Sequence, residues 1–552
     1  MLNEPLINSF PLEYQGKKVE PNEAQDYIIS EIETALLLKK KYIIINAPTA
    51  TGKSFIAKTI ANHSDDPTPG FCAACESYEI YNDECDQISS EDLAPFGTAI
   101  LTVTKTLQDQ YTSMFEDGTS LKGKSNYPCA INELYNCDIG VCSYTKGQMK
   151  KCLSCDKCPY FTQRNKAVTN ICSFYNYAMF ESLPPIVKNK EFIICDEASE
   201  LEAELVGRYT FEINFKDLKA IDEEFPVSPA INAPKHQYLD WLSEMSRLCE
   251  YTYNQYMILI DKLLKKSGKK KKLNKEESQR ISLLRRYREM FNNIIGSWTE
   301  TDYIITHNAK GLLLQPYNVN KLAHRIFDYG KTVILMSATI VNPAKFAETL
   351  GIDDYYFIET ATPLSAKKAP IKCTSKFKLN YKNKNTLLPQ MAKAAKQICM
   401  HFKDKKGIIH THSMDVLRYL KEEMGNDKRF LFREPGRDNE AILNIHQNTS
   451  QPTVLVSPSM THGIDLKGDL GEFQVVMKAP FLPLNDERVK RKFDNDKEWY
   501  TDAMLSTLVQ MCGRCNRTES DYSETYILDG LILDAVLRNK SKLPKYFLER
   551  FV

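Results

Sequence analysis

The chain has 552 residues and a formal net charge of +1, with 43% hydrophobic and 26% charged residues. This length exceeds what a single hydrophobic core usually holds, because domains cluster near about 100–200 residues. The balanced charge excludes a globally basic nucleic-acid-binding protein, so any binding of that kind must depend on local patches.

Short apolar runs rich in β-branched residues recur along the chain, and their lengths suit strands buried on both faces of a parallel sheet. The first set is Tyr42–Asn46, Ala99–Val103, Phe192–Cys195 and Val333–Met336, and the second is Ile408–Thr411, Val454–Val456, Gln474–Met477 and Thr525–Leu528. Helical stretches such as Ala24–Lys40 and Met414–Gly425 separate these runs. The alternation predicts an α/β fold class with two parallel-sheet domains, at residues 1–345 and 346–552.

Two stretches interrupt the first set of strands. Residues 110–170 are rich in cysteine and poor in strand pattern, whereas residues 200–312 have the periodicity of amphipathic helices. A basic run at residues 265–275 is typical of a solvated loop between two helices. The alternative for this run is a basic lip beside a nucleic-acid channel.

The strand Tyr42–Asn46 leads directly into a glycine-containing loop and then an amphipathic helix. This layout turns backbone N–H groups and the positive end of a helix dipole towards phosphate oxygens, as in a Walker A loop. The loop consists of Ala47, Pro48, Thr49, Ala50, Thr51, Gly52, Lys53 and Ser54. We expect Lys53 to reach the β- and γ-phosphates of ATP and Ser54 to ligate Mg²⁺. Ala50 should resist the positive φ that glycine adopts in many such loops.

An acidic pair, Asp196 and Glu197, follows the strand Phe192–Cys195. A carboxylate at the C-terminal end of a parallel strand is placed to hold Mg²⁺ through water, which is the role we assign to Asp196. Glu197 is placed to orient and deprotonate the attacking water. A surface acidic turn is the structural alternative, and the preceding Walker A loop argues against it.

From these motifs onward, the sequence resembles the XPD/DinG-type branch of superfamily 2 helicases along nearly its whole length. The four residues 196–199, DEAS, are similar to the D-E-A-H box, with Ser199 at the position of the histidine that couples the state of ATP to motifs III and VI. Further similar segments are TVTKTLQDQ at 102–110 (motif Ia), KGKSNY at 122–127, CPYF at 158–161, SAT at 337–339 (motif III), GIIHTHS at 407–413 (motif IV), SMTHGID at 459–465 (motif V), KAPF at 478–481 and QMCGRCNR at 510–517 (motif VI).

The resemblance implies two RecA-like motor domains that hydrolyse ATP and move 5′→3′ on single-stranded DNA, at forks or duplex junctions. It also implies that Gln25 reads the adenine edge and that Asp465 and Gln510 belong to the ATP site. Arg514 and Arg517 are three residues apart and would share one face of a helix if this segment is helical. They would then stabilise charge on the γ-phosphate from across the cleft between the domains.

Hydroxyl side chains in three of these motifs are candidates for binding the nucleic-acid backbone, because phosphate contacts give binding without sequence preference. They are Thr104, Thr411 and Thr461. An RNA helicase is the main alternative, since such enzymes share the motor motifs, and the cysteine insertion between motifs Ia and II favours the DNA branch. A clamp that binds ATP without motor action is less consistent with the presence of Lys53, Glu197 and Arg517.

Nine of the sixteen cysteines lie between Cys72 and Cys158. In a reducing compartment such clustering predicts metal or cluster ligation and not a disulfide framework. The spacing of Cys152, Cys155 and Cys158, with proline after the last, is used for [4Fe–4S] clusters when a remote cysteine completes the set. Cys129 is the natural remote ligand.

The resemblance implies the same [4Fe–4S] cofactor in this insertion, while four thiolates would also suit zinc. Cys137 and Cys142 are spare candidates that could replace two of the ligands. A separate group, Cys72, Cys75 and Cys85, would need a fourth partner to bind zinc, and free thiols are the alternative.

No run of about 18 apolar residues indicates a membrane span, and the N-terminus lacks the layout of a signal peptide. We therefore expect a cytoplasmic protein. The compact size and the Lys/Asn-rich composition suit a bacterial or phage-infected bacterial cell. We expect the protein to act on DNA as a monomer, with or without loading partners.

Overall fold

The protein is described by a computed structural model that covers residues 4–48, 50–64, 95–130, 136–138, 158–266, 275–362, 364–433, 439–458, 466, 468–516 and 520–552. Within these ranges the chain forms two parallel sheets, a three-stranded antiparallel sheet and a small N-terminal hairpin of Glu13–Tyr14 and Lys17–Lys18. No helix of the described residues is long and apolar enough to cross a membrane.

The first parallel sheet has seven strands among the described residues. In spatial order they are Tyr356–Glu359, Tyr42–Asn46, Gly330–Ser337, Lys190–Asp196, Thr98–Thr102, Cys172–Asn176 and Thr119–Ser120. Side chains of the second strand alternate between two cores, with Ile44 facing one and Ile43 and Ile45 facing the other. Burial on both faces explains why the predicted strands read as continuous apolar runs, and the predicted α/β fold is confirmed.

The second parallel sheet has six strands in the part of the chain that the structure describes. In spatial order they are Ile371–Phe377, Glu524–Asp529, Phe473–Val476, Gly407–His410, Val454–Ser457 and Phe430–Phe432. Both sheets are parallel throughout, as two RecA-like domains require.

The division between the two domains lies later than the sequence predicts. Strand Tyr356–Glu359 pairs in parallel with the Walker A strand, so the first domain continues past residue 345. The second sheet begins with Ile371–Phe377, and the boundary therefore falls between residues 359 and 371. The prediction misses this edge strand because it is short and only one of its four residues is buried.

Helices connect the strands of both sheets. In the first domain they are Glu23–Leu37, Lys53–His63, Lys105–Met114, Pro159–Thr169, Tyr177–Glu181, Pro185–Lys188, Leu201–Arg208, Phe215–Ile221, Lys235–Lys266, Lys275–Ser297, Asn320–Phe327 and Pro343–Thr349. In the second domain they are Lys384–His401, Met414–Met424, Asn439–Asn448, Glu487–Asn495, Lys497–Cys512, Gly530–Arg538 and Lys545–Leu548.

The stretch 200–312 forms a helical hairpin with a β base. The two long helices, Lys235–Lys266 and Lys275–Ser297, pack through contacts such as the edge-to-face pair of Trp241 and Phe291. Its base is an antiparallel sheet with the spatial order Phe211–Asn214, Gly311–Pro316 and Tyr303–Asn308. The sequence predicts the helices and misses these strands, because runs of four to six residues give little periodic signal.

Gly97 is a position where the fold requires glycine. Its φ is +62°, and a Cβ there would lie 2.5 Å from the carbonyl oxygen of Ile171. We expect Gly97→Ala to lower the free energy of unfolding by about 2–4 kcal/mol, because left-handed strain and overpacking add. Gly16 also has a positive φ, but a Cβ added to it would have no neighbour within 4 Å, so Gly16→Ala should cost only the strain, about 1–2 kcal/mol. Urea denaturation of both variants checks this, and equal losses would contradict it.

Candidate active site

The Walker A loop has the strand, turn and helix that the sequence predicts. Strand Tyr42–Asn46 is buried throughout, and the N–H of Ala47 donates to the Ser337 carbonyl at 2.8 Å. Gly52, with φ +74°, is the N-cap of helix Lys53–His63. The first turn of this helix therefore directs free backbone N–H groups towards the space where phosphates would lie.

The backbone at Ala50 differs from the expectation. Ala50 has φ +73°, so this alanine adopts the left-handed conformation that alanine ordinarily resists, at a cost of about 1–2 kcal/mol. The neighbouring Thr51 is fully buried and its hydroxyl donates to the Pro48 carbonyl at 2.6 Å. This hydrogen bond closes the turn and offsets part of the strain. Thr49 lies outside the described residues.

Gln25 links the first helix to the Walker A loop by hydrogen bonds. Its side-chain oxygen accepts from the Asn22 N–H at 2.9 Å, which makes the capping box of helix Glu23–Leu37. Its amide nitrogen donates to the Gly52 carbonyl at 3.3 Å. Lys53 makes a similar internal contact, because its ammonium donates to the Ala47 carbonyl at 3.2 Å. Adenine reading by Gln25 stays a prediction.

The acidic pair lies at the end of strand Lys190–Asp196. Asp196 is buried, and its two carboxylate oxygens accept from the Glu197 N–H at 3.0 Å and the Tyr111 hydroxyl at 2.9 Å. Burial raises the pKa of Asp196 to about 6, the nearby Glu197 carboxylate adds to this rise, and Lys53 opposes the shift. Glu197 itself has φ +50°, which turns the chain sharply after the strand.

The oxygen donors near this carboxylate fit a magnesium ion. The buried Tyr111 hydroxyl donates to Asp196 at 2.9 Å, and Ser54 lies in the first turn of the helix that follows the Walker A loop. Magnesium prefers hydroxyl, carboxylate and water oxygens together with substrate phosphates. Ser54 and Asp196 would hold the ion beside the phosphates.

Ser199 takes part in a cluster of three hydroxyl groups with the SAT segment. The Ser337 and Thr339 hydroxyls each donate to the Ser199 Oγ at 2.9 Å, and they lie 3.3 Å from each other. The carbonyl of Thr339 in turn accepts from Ser506, on helix Lys497–Cys512 of the second domain, at 2.8 Å. Ser199 thus keeps the link between the acidic motif and motif III that a histidine makes in the family it resembles.

A cleft between the two domains is lined by motif residues from both. Pro48, Glu197 and Thr339 line it from the first domain, and Gln510 and Arg514 line it from the second. The two predicted phosphate-binding regions therefore face the same space.

The condition for a shared helix face of the two arginines is not met at Arg514. Helix Lys497–Cys512 ends before Arg514, with Gly513 at its C-cap, so Arg514 lies in a turn. Arg514 is largely buried and borders the cleft. Arg517 lies outside the described residues, as does Asp465.

Two residues that line the cleft belong to no sequence motif and are therefore not predicted. Tyr546 donates to the Ala338 carbonyl at 3.0 Å, and the buried Arg550 donates to the carbonyls of Ala369 at 2.7 Å and Cys512 at 2.9 Å. Both come from the C-terminal segment, which matches none of the motifs. The contacts between this segment and the second sheet bring it to the cleft.

The nucleic-acid candidates differ in their exposure. Thr104 is half-buried, and its hydroxyl accepts from the Leu107 N–H at 3.2 Å as the N-cap of helix Lys105–Met114. Thr411 is fully buried and its hydroxyl donates to the Ser413 carbonyl. Its predicted contact with the nucleic-acid backbone is therefore not supported. Thr461 lies outside the described residues.

The structure brings together two of the candidate cysteines. The Sγ atoms of Cys137 and Cys158 lie 3.8 Å apart. Cys129 is buried nearby, and burial together with the other two thiols raises the pKa of Cys137 to about 12. The predicted spare Cys137 therefore lies beside a predicted ligand.

The other cysteine predictions, Cys142, Cys152, Cys155 and the group Cys72, Cys75 and Cys85, lie outside the described residues. Within the described residues, no group of three or more His, Cys, Asp or Glu side chains is arranged to hold a metal ion alone.

Comparison with known proteins relates the second domain to a family. Residues 375–549 match the helicase C-terminal domain family. The chain is also 26% identical over 275 residues to a probable ATP-dependent helicase of Methanocaldococcus jannaschii, a match that spans 44% of this chain and 41% of that relative.

Solved structures extend the likeness to the first domain. An XPD helicase structure superposes with a TM-score of 0.60 at 14% identity, over 95% of this chain and 98% of the other. Xpd4 of S. tokodaii gives a TM-score of 0.55 at 14% identity, over 96% of this chain and 99% of the other. This likeness shows the fold that the resemblance to XPD-type helicases predicts.

The buried carboxyl of Asp196 should make the metal-free protein less stable at neutral pH. Because its pKa is raised to about 6, the folded state holds this proton more tightly than the unfolded chain. This tighter binding of the proton stabilises the folded state below about pH 4, and the stabilisation is lost as pH rises through about 6. We expect Asp196→Asn to raise the free energy of unfolding by on the order of 2 kcal/mol at pH 7.5, and by much less at pH 4. Denaturation in a chelator at both pH values checks this, and a pH-independent difference would contradict it.

Proposed function

We propose that this chain is an ATP-dependent DNA helicase that moves 5′→3′ along single-stranded DNA and opens duplex junctions. The observation that carries the proposal is the cleft between the two domains. Pro48 and Glu197 border it on one side, and Gln510 and Arg514 border it on the other. A nucleotide bound by the Walker A loop would therefore touch both domains, so its hydrolysis would change how they fit together.

The residues around the cleft suit phosphoryl transfer to water. Lys53 would release its contact with Ala47 to bind the β- and γ-phosphates. Ser54 and Asp196 would hold Mg²⁺, which neutralises phosphate charge, and Glu197 would orient and deprotonate the attacking water. In such reactions catalysis is mainly positioning and electrostatic stabilisation.

The second domain would supply positive charge to this reaction. Arg514 borders the cleft and Arg517 follows it three residues later, so both are proposed to stabilise the charge that develops on the γ-phosphate. Arginine supplied from a second domain is effective because its planar guanidinium is always charged.

Polar contacts between the domains would couple ATP hydrolysis to movement of one domain relative to the other. Besides the bond between Ser506 and Thr339, Lys345 pairs with Asp496 at 2.9 Å, and Asn342 donates to Asp502 at 2.8 Å. These contacts join helix Pro343–Thr349 and the turn before it to the helices that precede Arg514. Loss of the γ-phosphate would change the contacts that both domains make at this interface.

DNA is favoured over RNA by the family resemblance and by the cysteine insertion between motifs Ia and II. Single-stranded DNA and fork or duplex junctions are therefore the proposed partners. An RNA helicase remains the second candidate, because the motor motifs are shared. A clamp without motor action is disfavoured by the joint presence of Lys53 and Glu197.

We further propose that the insertion binds a [4Fe–4S] cluster through Cys129, Cys137, Cys158 and one more of its cysteines. The supporting observation is the approach of the Cys137 and Cys158 sulfurs to 3.8 Å, with Cys129 also buried. The 3.8 Å between two sulfurs also matches two ligands of one tetrahedral zinc, given Zn–S bonds of about 2.3 Å. Iron–sulfur is favoured by the resemblance, and zinc is the alternative.

ATP hydrolysis by anaerobically purified protein tests the motor. We expect single-stranded DNA to stimulate hydrolysis more than RNA does, and Lys53→Ala to lower the rate by on the order of 10²–10³, as loss of one transition-state donor does. Lys17→Ala, which removes an exposed lysine outside the site, is the matched control. Greater stimulation by RNA would favour the second candidate, and absence of hydrolysis would overturn the proposal.

Metal analysis tests the cysteine cluster. The wild-type protein should contain about four iron and four sulfide per chain and absorb in the visible range. Cys137→Ser and Cys158→Ser should each lose iron, whereas Cys399→Ser, which alters a buried cysteine of the second domain, should retain it. About one zinc per chain without iron would instead support a structural zinc site.

A further inference from the structure

Tyr111 is a buried residue beside the acidic motif that the proposed reaction does not use. It lies on helix Lys105–Met114, which follows the motif Ia strand, and its side chain is fully buried. Its hydroxyl donates to the Oδ2 of Asp196 at 2.9 Å. This hydroxyl group therefore touches the carboxylate that would hold Mg²⁺.

The carboxylate of Asp196 has its orientation determined by two donors. Oδ1 accepts from the Glu197 N–H and Oδ2 from Tyr111. The first donor belongs to the same turn and moves with it, whereas Tyr111 comes from a separate element. Removing the tyrosine hydroxyl would leave Oδ2 without its donor and the carboxylate free to rotate.

The position of Tyr111 is set independently of the acidic motif. Its ring packs against Phe174 and Phe115, with ring centroids 5.6 and 6.2 Å away. One turn earlier, the buried Gln108 amide donates to the carbonyls of Leu121 at 2.8 Å and Phe174 at 2.9 Å. These contacts hold the helix against the edge of the sheet. The position of the Tyr111 hydroxyl is therefore fixed independently of Asp196.

We propose that Tyr111 is a positioning residue that orients Asp196 for the magnesium–nucleotide complex. This inference rests on the proposed function, because it assumes that Asp196 holds the ion. Groups that orient metal ligands from behind commonly change metal affinity or activity by about 10–100-fold when they are removed.

A neighbouring tyrosine provides a matched control. Tyr177 is also buried, and its hydroxyl donates to the backbone carbonyl of Asp196 at 3.2 Å. Tyr177→Phe therefore removes a comparable hydrogen bond to the same residue without touching the carboxylate. A purely structural effect should be similar in the two variants, whereas an effect on metal binding should appear only in Tyr111→Phe.

Binding of Mn²⁺ in the presence of ADP, followed by electron paramagnetic resonance, tests the inference without relying on turnover. We expect Tyr111→Phe to bind the ion about tenfold more weakly than the wild type, and Tyr177→Phe to stay within about twofold of it. The Mg²⁺ concentration for half-maximal hydrolysis should rise in parallel in Tyr111→Phe, and excess Mg²⁺ should restore most of its rate.

Equal Mn²⁺ affinities in the wild type and Tyr111→Phe would overturn this inference and leave the proposed function intact. Equal weakening in both tyrosine variants would also overturn it, since general loss of packing would then explain the effect. If the wild type bound no Mn²⁺ with nucleotide, the proposed function would fail first, and this inference would fall with it.

Discussion

The register of one central strand determines where the site forms. Gly330–Ser337 lies between the Walker A strand and the strand of the acidic motif and pairs with both in parallel. In this register Ser337 lies opposite Asn46, and Met336 lies opposite Asp196. Three motifs that are far apart in the sequence therefore end at the same edge of the sheet. A shift of one residue would turn every side chain to the other face and separate the hydroxyl cluster from the carboxylate.

The helical insertion contacts both domains at its base. Arg325 of the first domain donates to the Gly296 carbonyl at 2.6 Å, near the end of the second long helix. Arg488 of the second domain donates to the Pro316 carbonyl at 2.9 Å and pairs with Glu202 at 2.5 Å. Glu202 lies five residues after Glu197, so movement between the domains would reach the acidic motif and the insertion together.

The sequence predicts the interior of this fold better than its edges. Buried parallel strands such as Tyr42–Asn46 have a strong apolar signal, and the Walker A loop and acidic motif follow from local chemistry. The edge strand Tyr356–Glu359 lacks such a signal. The burial of Thr411 and the approach of Arg550 to the cleft depend on tertiary packing, which no local pattern reports. The helix end before Arg514 is equally hidden, because helix boundaries are weakly encoded.

The order of the strands has a consequence for synthesis of the chain. Among the described strands, the Walker A strand pairs only with Gly330–Ser337 and Tyr356–Glu359, and roughly 280 residues separate it from the first of these. At about 5–20 residues per second, a ribosome needs roughly 15–60 s to cover that distance. During this interval the apolar strand YIIIN has exposed edges that can pair with other chains. The ribosome-bound chain is therefore a natural substrate for chaperones, and fragments that end before residue 330 lack the partner that completes the sheet.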